Sequence, residues 1–363
     1  MDDTAPPLAL PVMPPLKPML AKSVDGIPTN EPMLYEPKWD GFRCIIFRDG
    51  DNVILGSRNE KSLTRYFPEL IDPIRASFPD RCVIDGEVVV ASGGTLDFDA
   101  LGQRIHPADS RVQRLAVETP ASFVAFDLIA LGDDDLRGVA FGDRHRQLAE
   151  LLGHAEPPVH LTPSTFDPAV AEDWFHRFEG AGFDGVIAKP LRGNYLSDKR
   201  VQWKVKHKRT AEVVIAGARP HKDGNGVGSL LLGLYDSNET LHHIGVASSF
   251  TAVRRTELVA ETEPYLLDDP TEHPWASWMN VSAHTAGQRM PGAPSRWNAA
   301  KDQSWIPMNC QLVAEVGFEQ VTSGRLRHPA RLVRWRPDKS PAECRYDQLE
   351  QIAPVELAEV FRS

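Results

Sequence analysis

The chain has 363 residues, of which 42% are hydrophobic and 25% are charged, and its formal net charge is −10. This composition is typical of a globular protein, and the length favours two domains. No apolar run approaches the roughly 20 residues that a membrane-spanning helix needs, so we expect no membrane association. The four cysteines (Cys44, Cys82, Cys310 and Cys344) form no Cys-x-x-Cys pair. This spacing argues against a zinc site or a disulfide framework, and for a reducing cytoplasm.

Basic residues are concentrated in two segments of this acidic chain. Residues 189–222 contain ten lysines and arginines against two acids, and residues 325–345 contain seven against two. The remainder of the chain is therefore strongly acidic. A basic face on an acidic body is what binding to a polyanion such as nucleic acid requires. The alternative is that both runs are ordinary solvated charges.

The first half of the chain predicts short strands separated by helices. Residues 44–47 and 52–55 flank Gly50, which favours a hairpin because glycine tolerates the positive φ of a tight turn. Further apolar strands are predicted at 83–84, 88–90, 123–126, 128–131 and 185–188. Helices are predicted at 143–152 and 168–179, each followed by a glycine. This order favours an α+β domain built on antiparallel sheets.

The pattern becomes strand-rich near residue 208. Strands are predicted at 212–216, 230–235, 242–246, 311–318 and 331–336, with one helix near 251–266. A small barrel with one helix, such as an OB fold, accounts for this inventory. We therefore predict an α+β domain at 1–208 and an OB-fold β-barrel domain at 209–363. The tryptophan-rich stretch 268–307 is expected to be an insertion packed on the barrel, with contact to DNA or to a partner as the alternative.

A single lysine opens the sequence Lys38-Trp39-Asp40-Gly41-Phe42-Arg43, which has the pattern KxDGxR. Alone, such a lysine ahead of a strand is as often solvated as reactive. Further short motifs follow in order: Ser57-Arg58, Asp85-Gly86-Glu87, Phe126-Asp127, Asp184 to Lys189 (DGVIAK), Trp203 to Lys206 (WKVK) and Arg334 to Lys339 (RWRPDK). The series resembles that of the covalent nucleotidyltransferases. Within them it looks like a compact bacterial ATP-dependent DNA ligase with adenylation (nucleotidyltransferase) and OB-fold domains only.

The resemblance implies that Lys38 attacks the α-phosphate of ATP and carries AMP covalently. A lysine amine attacks phosphorus only when neutral, whereas at neutral pH it is almost wholly protonated. Burial or neighbouring cations must therefore favour the neutral form. Lys204 and Lys206 alternate with Val205, so in a strand they share one face. We predict them as catalytic cations directed at the same phosphate.

The resemblance also implies a set of nucleotide-binding residues. They are Glu36, Arg43, Arg58, Glu87, Phe126, Lys189, Arg334, Arg336, Asp338 and Lys339. Arginine suits phosphate and ribose oxygens because of its fixed fork, and a phenylalanine ring can stack on a base. In this family, the motif at 334–339 reaches the pyrophosphate when the barrel closes over the nucleotide.

Glu87 and Asp184 are the predicted ligands of Mg²⁺, with Mn²⁺ as the alternative ion. Magnesium favours one or two carboxylates together with substrate phosphates. Because glycine precedes Glu87, we expect this residue to lie in a turn. Ligases usually carry glutamate at the position of Asp184. The shorter side chain fits a water-bridged metal contact better than a direct one.

The implied function is sealing of nicks in double-stranded DNA during repair, by a monomer in the cytoplasm at the bacterial nucleoid. Repair polymerases or end-binding proteins would be partners. The 37 residues ahead of Lys38 are too few for a large N-terminal DNA-binding domain, so we expect a core that encircles DNA poorly by itself. The alternatives are an RNA ligase, an mRNA-capping guanylyltransferase that uses GTP, and a non-catalytic nucleic-acid-binding module on this fold.

Overall fold

The computed structural model describes residues 8–106, 108–276, 304–322, 324–349 and 355–361. These residues form two compact units, the first made of 8–206 together with 355–361 and the second of 207–349. The sequence placed all residues after 208 in the barrel domain, and for 355–361 this prediction is wrong. The physical reason is apolar burial, because Val360 has no solvent exposure and belongs to the same core cluster of the first unit as Trp39.

The first unit contains two sheets and six α-helices in the described residues. The strands are β1 Leu20–Val24, β2 Met33–Pro37, β3 Phe42–Asp49, β4 Asn52–Ser57, β5 Arg81–Ser92, β6 Thr95–Leu96, β7 Ala121–Leu131, β8 Asp134–Asp135, β9 Val159–Leu161, β10 Val186–Pro190 and β11 Arg200–Val205. The helices are α1 Ile71–Ser77, α2 Phe98–Arg104, α3 Asp109–Glu118, α4 Phe141–Leu152, α5 Pro168–Arg177 and, numbered last in the chain, α7 Leu357–Val360.

One sheet has the strand order β1-β11-β10-β2, and the other is built on the order β4-β3-β5-β7-β8 with β6 beside β5 and β9 beside β7. Most pairs are antiparallel, whereas β1 with β11 and β7 with β9 are parallel. The predicted α+β class is confirmed. The predicted hairpin is β3–β4, in which Asp49 pairs with Asn52 and Gly50 has a φ of 60°.

Strands β5 and β7 are each longer than predicted. The sequence predicted two short strands in place of each, divided at an acidic residue, Asp85 or Asp127. Both carboxylates are almost completely buried, at 0% and 1% exposure. Each is paired with an arginine, Asp85 with Arg43 and Asp127 with Arg144. Because the buried charge is satisfied by a partner, the strand continues through it.

The second unit is a mainly antiparallel β structure with one α-helix in its described residues. Its elements are β12 Arg209–Pro220, β13 Val227–Tyr235, β14 Leu241–Ala247, α6 Ala252–Thr262, β15 Ile306–Phe318, β16 Val321–Thr322, β17 Arg325–Leu326 and β18 Arg331–Trp335. Its main sheet has the order β14-β13-β12-β15-β18. The predicted OB-fold class is confirmed.

Two of the tryptophans in the stretch 268–307 lie in the core of the second unit. Trp275 and Trp305 are 1% and 9% exposed, and Trp275 donates a hydrogen bond from Nε1 to the Leu241 carbonyl (2.7 Å). For these two residues, the prediction of packing on the barrel is confirmed. Trp278 and Trp297 lie outside the described residues. None of the helices in the described parts of the chain is long and apolar enough to cross a membrane.

Candidate active site

A cavity of about 310 Å³ lies in the first unit and is lined by residues from both sheets. Eight residues predicted from the motifs line this one cavity: Glu36, Lys38, Arg43, Arg58, Glu87, Phe126, Lys189 and Lys204. They are far apart in the sequence, and strand pairing brings them together. Their roles toward a nucleotide stay predictions, whereas their assembly around a common space is a property of the structure.

The backbone of Lys38 is fixed directly after strand β2. Its amide donates to the Gly185 carbonyl (2.8 Å), and its carbonyl accepts from the Asp184 amide (3.3 Å). The Lys38 Nζ atom lies 2.7 Å from Oδ2 of Asp184, and Nζ of Lys206 lies 2.8 Å from the same oxygen. One carboxylate oxygen therefore holds the predicted nucleophile and a predicted catalytic cation together.

Asp184 stays ionised in this arrangement despite its burial. Burial raises the pKa of its carboxyl group, but the charges and hydrogen bonds of Lys38 and Lys206 outweigh this effect and hold the pKa below its ordinary value. The carboxylate is thus a fixed negative charge beside two ammonium groups. The structure shows this contact of Asp184 with two lysines, and its role in metal binding stays a prediction.

Strand β11 directs a row of polar side chains into the cavity. Arg200, Gln202 and Lys204 alternate along this strand, and all three line the cavity. Lys204 therefore shares the cavity with Lys38, and its action on a phosphate stays a prediction. Arg200 and Gln202 were missed, although the same period-two alternation that placed Lys204 could have found them.

Arg43 is held by a buried acceptor, Asp85, whose role was not predicted from its motif. Its Nε and Nη2 atoms donate to the two oxygens of Asp85, at 2.6 and 2.7 Å. The Tyr195 hydroxyl donates to Oδ2 of the same carboxylate (2.7 Å). This bidentate pair fixes the plane of the guanidinium at the cavity wall. Asp85 stands in a quoted motif, but Tyr195 carries no sequence signal.

A second buried ion pair joins Glu36 to Lys189, with Nζ 2.7 Å from Oε2 and both side chains at most 3% exposed. Burial raises the pKa of Glu36, and the charge of Lys189 partly offsets this. Lys189 also donates to the Phe126 carbonyl (3.0 Å), and its Nζ lies 4.5 Å from the Phe126 ring centroid. Arg43 lies 4.4 Å from that centroid. Phe126 is therefore a cavity wall flanked by cations, and its stacking on a base stays a prediction.

Glu87 does not lie in a turn, contrary to our expectation. It is an internal residue of β5 and lies opposite Arg43 in the register of β5 with β3. Gly86 is required for close packing instead, because a Cβ atom there would collide with the Phe123 ring of β7. Burial raises the pKa of Glu87 to about 7, although the positive charges of Arg43 and Lys38 lower it.

The donor set of the cavity fits Mg²⁺. No group of three or more His, Cys, Asp or Glu side chains suited to a metal occurs in the parts of the chain that the structure describes. Magnesium does not need such a cage, since it uses one or two carboxylates together with phosphates and water. Glu87 lines the cavity, and Asp184 contacts Lys38, one of its lining residues.

The remaining predicted residues belong to the second unit. They are Arg334, Arg336, Asp338 and Lys339. Arg336 donates to both oxygens of Asp338, at 2.9 and 2.7 Å, and also pairs with Glu212. Glu212 and Glu315 bind the other cations of the segment. The four residues form one surface network of charges within this unit, and their contact with a nucleotide stays a prediction.

The fold and the site together define a class of protein. A KxDGxR lysine in a cavity between two sheets, followed in the chain by an OB-fold unit, is the arrangement of a nucleotidyltransferase of the ligase type. The family model for the ATP dependent DNA ligase domain matches residues 18–208, and the model for the ATP dependent DNA ligase C terminal region matches residues 223–339. The chain belongs to the ATP-dependent DNA ligase family, and it is an ATP-dependent DNA ligase.

Individual relatives agree with this assignment. DNA ligase C of Mycobacterium tuberculosis is 52% identical over 360 residues, which are 97% of this chain and 99% of the relative. The multifunctional non-homologous end joining DNA repair protein LigD of the same species is 31% identical over 90% of this chain and 39% of its own length. A solved structure of a Lig E DNA ligase has a TM-score of 0.53 at 18% identity, covering 88% and 99% of the two chains, and shows the shared fold.

Proposed function

We propose that Lys38 is the nucleophile of this ligase and that it carries AMP between ATP and the nick. The observation that supports this proposal is the position of Lys38 on the cavity wall, with its Nζ atom 2.7 Å from Oδ2 of Asp184. In the first step, Nζ forms a bond to the α-phosphorus while the bond to the pyrophosphate oxygen breaks, and the amine loses a proton. In the second step, an oxygen of the 5′-phosphate at the nick displaces Lys38 from the AMP phosphorus. In the third step, the 3′-hydroxyl attacks the 5′-phosphorus and AMP leaves.

The surrounding side chains supply orientation and charge for these steps. Arg43, held by Asp85, presents fixed donors to ribose or phosphate oxygens, while Lys204 and Lys206 face the charge that develops at phosphorus. Bound Mg²⁺ would be held by Glu87 and, directly or through water, by Asp184, and would neutralise phosphate charge. The segment 334–339 would orient the pyrophosphate.

The DNA substrate and the setting are part of the same proposal. The basic segments 189–222 and 325–345 would contact duplex phosphates, so binding should weaken steeply as salt rises. Similarity to a protein named for DNA repair by end joining supports a repair role. We propose a cytoplasmic monomer at the nucleoid that works with a repair polymerase or an end-binding protein.

A covalent-labelling assay tests the nucleophile. Wild-type protein, Lys38→Ala and Lys38→Arg are incubated with α-labelled ATP and Mg²⁺ and resolved on a denaturing gel. We expect label on the wild type and none on either variant. Lys38→Arg keeps the positive charge beside Asp184, so its failure isolates nucleophilicity from charge. Lys61→Ala, which changes an exposed lysine outside the cavity, is the matched control and should label normally.

Other outcomes have distinct meanings. Label on Lys38→Ala would overturn the assignment of the nucleophile. Label from GTP instead of ATP would indicate guanylyltransferase chemistry, and absence of label from both would leave a nucleic-acid-binding module. Nicked duplexes with DNA or RNA strands then separate DNA sealing from RNA sealing.

A further inference from the structure

The segment 355–361 packs on the first unit near the active-site cavity. The Leu357 amide donates to the Gly94 carbonyl (2.7 Å), and Glu359 lies 4.0 Å from Arg177. Val360 has no solvent exposure and joins a core cluster that includes Trp39. The chain thus returns to the first unit after the whole second unit has been formed.

The next residue of the segment, Phe361, contacts the cavity wall itself. Its ring stacks on Trp39, with centroids 5.2 Å apart and an interplanar angle of 29°, and on His160, with centroids 4.2 Å apart and an angle of 20°. Trp39 is fixed on other sides by the edge of Phe183 (4.7 Å) and by a hydrogen bond from Nε1 to Thr162 Oγ1 (2.8 Å). Phe361 therefore completes the enclosure of a single indole ring.

The residue that carries this indole, Trp39, directly follows Lys38 in the chain. Trp39 lines the cavity and is 5% exposed. Because Trp39 directly follows Lys38 and the peptide between them is rigid, a shift of the Trp39 backbone would also shift the peptide that carries the Lys38 side chain. The hydrogen bonds of Lys38 to residues 184–185 fix one side of this peptide, and the enclosed indole fixes the other. The backbone from which the Lys38 side chain extends toward a phosphate is therefore held in one position.

We propose that Phe361 is a positioning residue for Lys38 and that it acts through Trp39. This inference rests on the proposed role of Lys38 as nucleophile. It has a step-specific consequence, because Lys38 takes part in forming lysyl-AMP and in passing AMP to the 5′-phosphate, but not in the final attack of the 3′-hydroxyl. Loss of Phe361 should therefore impair the first two steps and spare the third.

The test measures the steps separately in Phe361→Ala. Single-turnover labelling with ATP should slow by about 10- to 100-fold, the range that small misplacements of reacting groups produce. Sealing of a nick that already carries a 5′-AMP should stay within about twofold of wild type, since the same active site acts without the lysine. Phe361→Tyr keeps the stacked ring and should restore labelling. Phe166→Ala is the matched control, because that phenylalanine is 65% exposed.

Three results would overturn the proposal. The first is normal labelling by Phe361→Ala, and the second is an equal loss of labelling and of sealing of the preadenylated nick, which would mean that the segment only supports the fold. If Phe361→Ala does not fold, Phe361→Leu takes its place, because leucine keeps the apolar contact without the flat ring. The third result that would overturn the proposal is normal labelling by Phe361→Leu. Lys38→Ala in the same series separates the hypothesis about Lys38 from the hypothesis about Phe361. Labelling of Lys38→Ala would show that Lys38 is not the nucleophile, whatever the result for Phe361→Ala.

Discussion

The buried charges of the first unit are held differently from the charges of the segment 334–339 in the second unit. In the first unit, Asp85, Asp127 and Lys189 are at most 2% exposed, and each has a short contact with a group of opposite charge. In the second unit, Arg334 and Asp338 are 64% and 62% exposed and belong to a shared surface network. Buried pairs keep one geometry because breaking them leaves an unpaired charge. Surface pairs exchange partners at little cost.

This difference matches the chemistry proposed for each unit. The first unit needs Lys38 and Arg43 in fixed positions while phosphorus changes partners, which favours a preorganised site. The segment 334–339 has to engage pyrophosphate and release it, and a network that is easily rearranged suits such a task. The loss of unfolding free energy when an ion pair is broken should therefore be larger in the first unit than in the segment 334–339.

The largest effect is expected from Asp127→Asn. The variant leaves the buried Arg144 guanidinium without its carboxylate, so the first unit should lose about 3–5 kcal/mol of unfolding free energy. The measurement is denaturant unfolding followed by a probe in the first unit. The double variant Asp127→Asn with Arg144→Met should lose less than the single variant, because no unpaired charge remains. A double variant that is less stable than the single one would contradict this explanation.

An intermediate, pH-dependent effect is expected from Glu87→Gln. Burial raises the pKa of Glu87 from 4.5 to about 7 in the folded chain. The protonated form of Glu87 therefore contributes its full share of the free energy of unfolding below pH 4.5. This contribution is lost as pH rises through about 7. Glutamine cannot ionise, so the variant should be more stable than wild type at pH 8, by about 1–2 kcal/mol after allowance for partial exposure.

The check is the thermal midpoint of Glu87→Gln and wild type at pH 4.5 and at pH 8. The midpoints should agree at the lower pH and diverge at the higher one. Activity should fall at pH 8, where the Glu87 carboxyl is ionised and the variant lacks the charge of a proposed metal and ribose ligand. A constant difference in midpoint across this range would show that ionisation of Glu87 is not the cause.

The smallest effect on stability is expected from Arg334→Ala in the second unit. The side chain is exposed and pairs with Glu315, so the free energy of unfolding should change by less than about 1 kcal/mol. Formation of lysyl-AMP should nevertheless slow by about tenfold or more, because a cation for pyrophosphate is gone. Arg331→Ala removes an exposed arginine from the same strand and is the control. Equal labelling by both variants would remove Arg334 from the proposed site.

Much of the site could be predicted from the sequence because its members stand in short motifs. The pattern around Lys38 and the alternation of Lys204 with Lys206 identified groups that the structure brings to one cavity or one carboxylate. Glu87 was wrongly placed in a turn because Asp-Gly dipeptides usually form turns, whereas here the glycine permits close strand packing.

The partners of these groups could not be predicted. Tyr195 reaches Asp85, and Phe361 reaches Trp39, only through pairings between distant segments. Their residue types are common in cores and surfaces alike, so no local pattern marks them. The fold class followed from strand and helix periodicity, but the return of 355–361 to the first unit depends on tertiary packing that periodicity does not contain.

The return of the chain makes the second unit a tether between residue 206 and the segment 355–361. While that unit is folded, it is compact. If it unfolded, a chain of this length would spread to a radius of gyration on the order of 40 Å. The effective concentration of Phe361 at Trp39 would then fall. On the proposed role of Phe361, the wall beside Lys38 would thereby depend on the folding of a unit that contributes no described residue to the cavity lining.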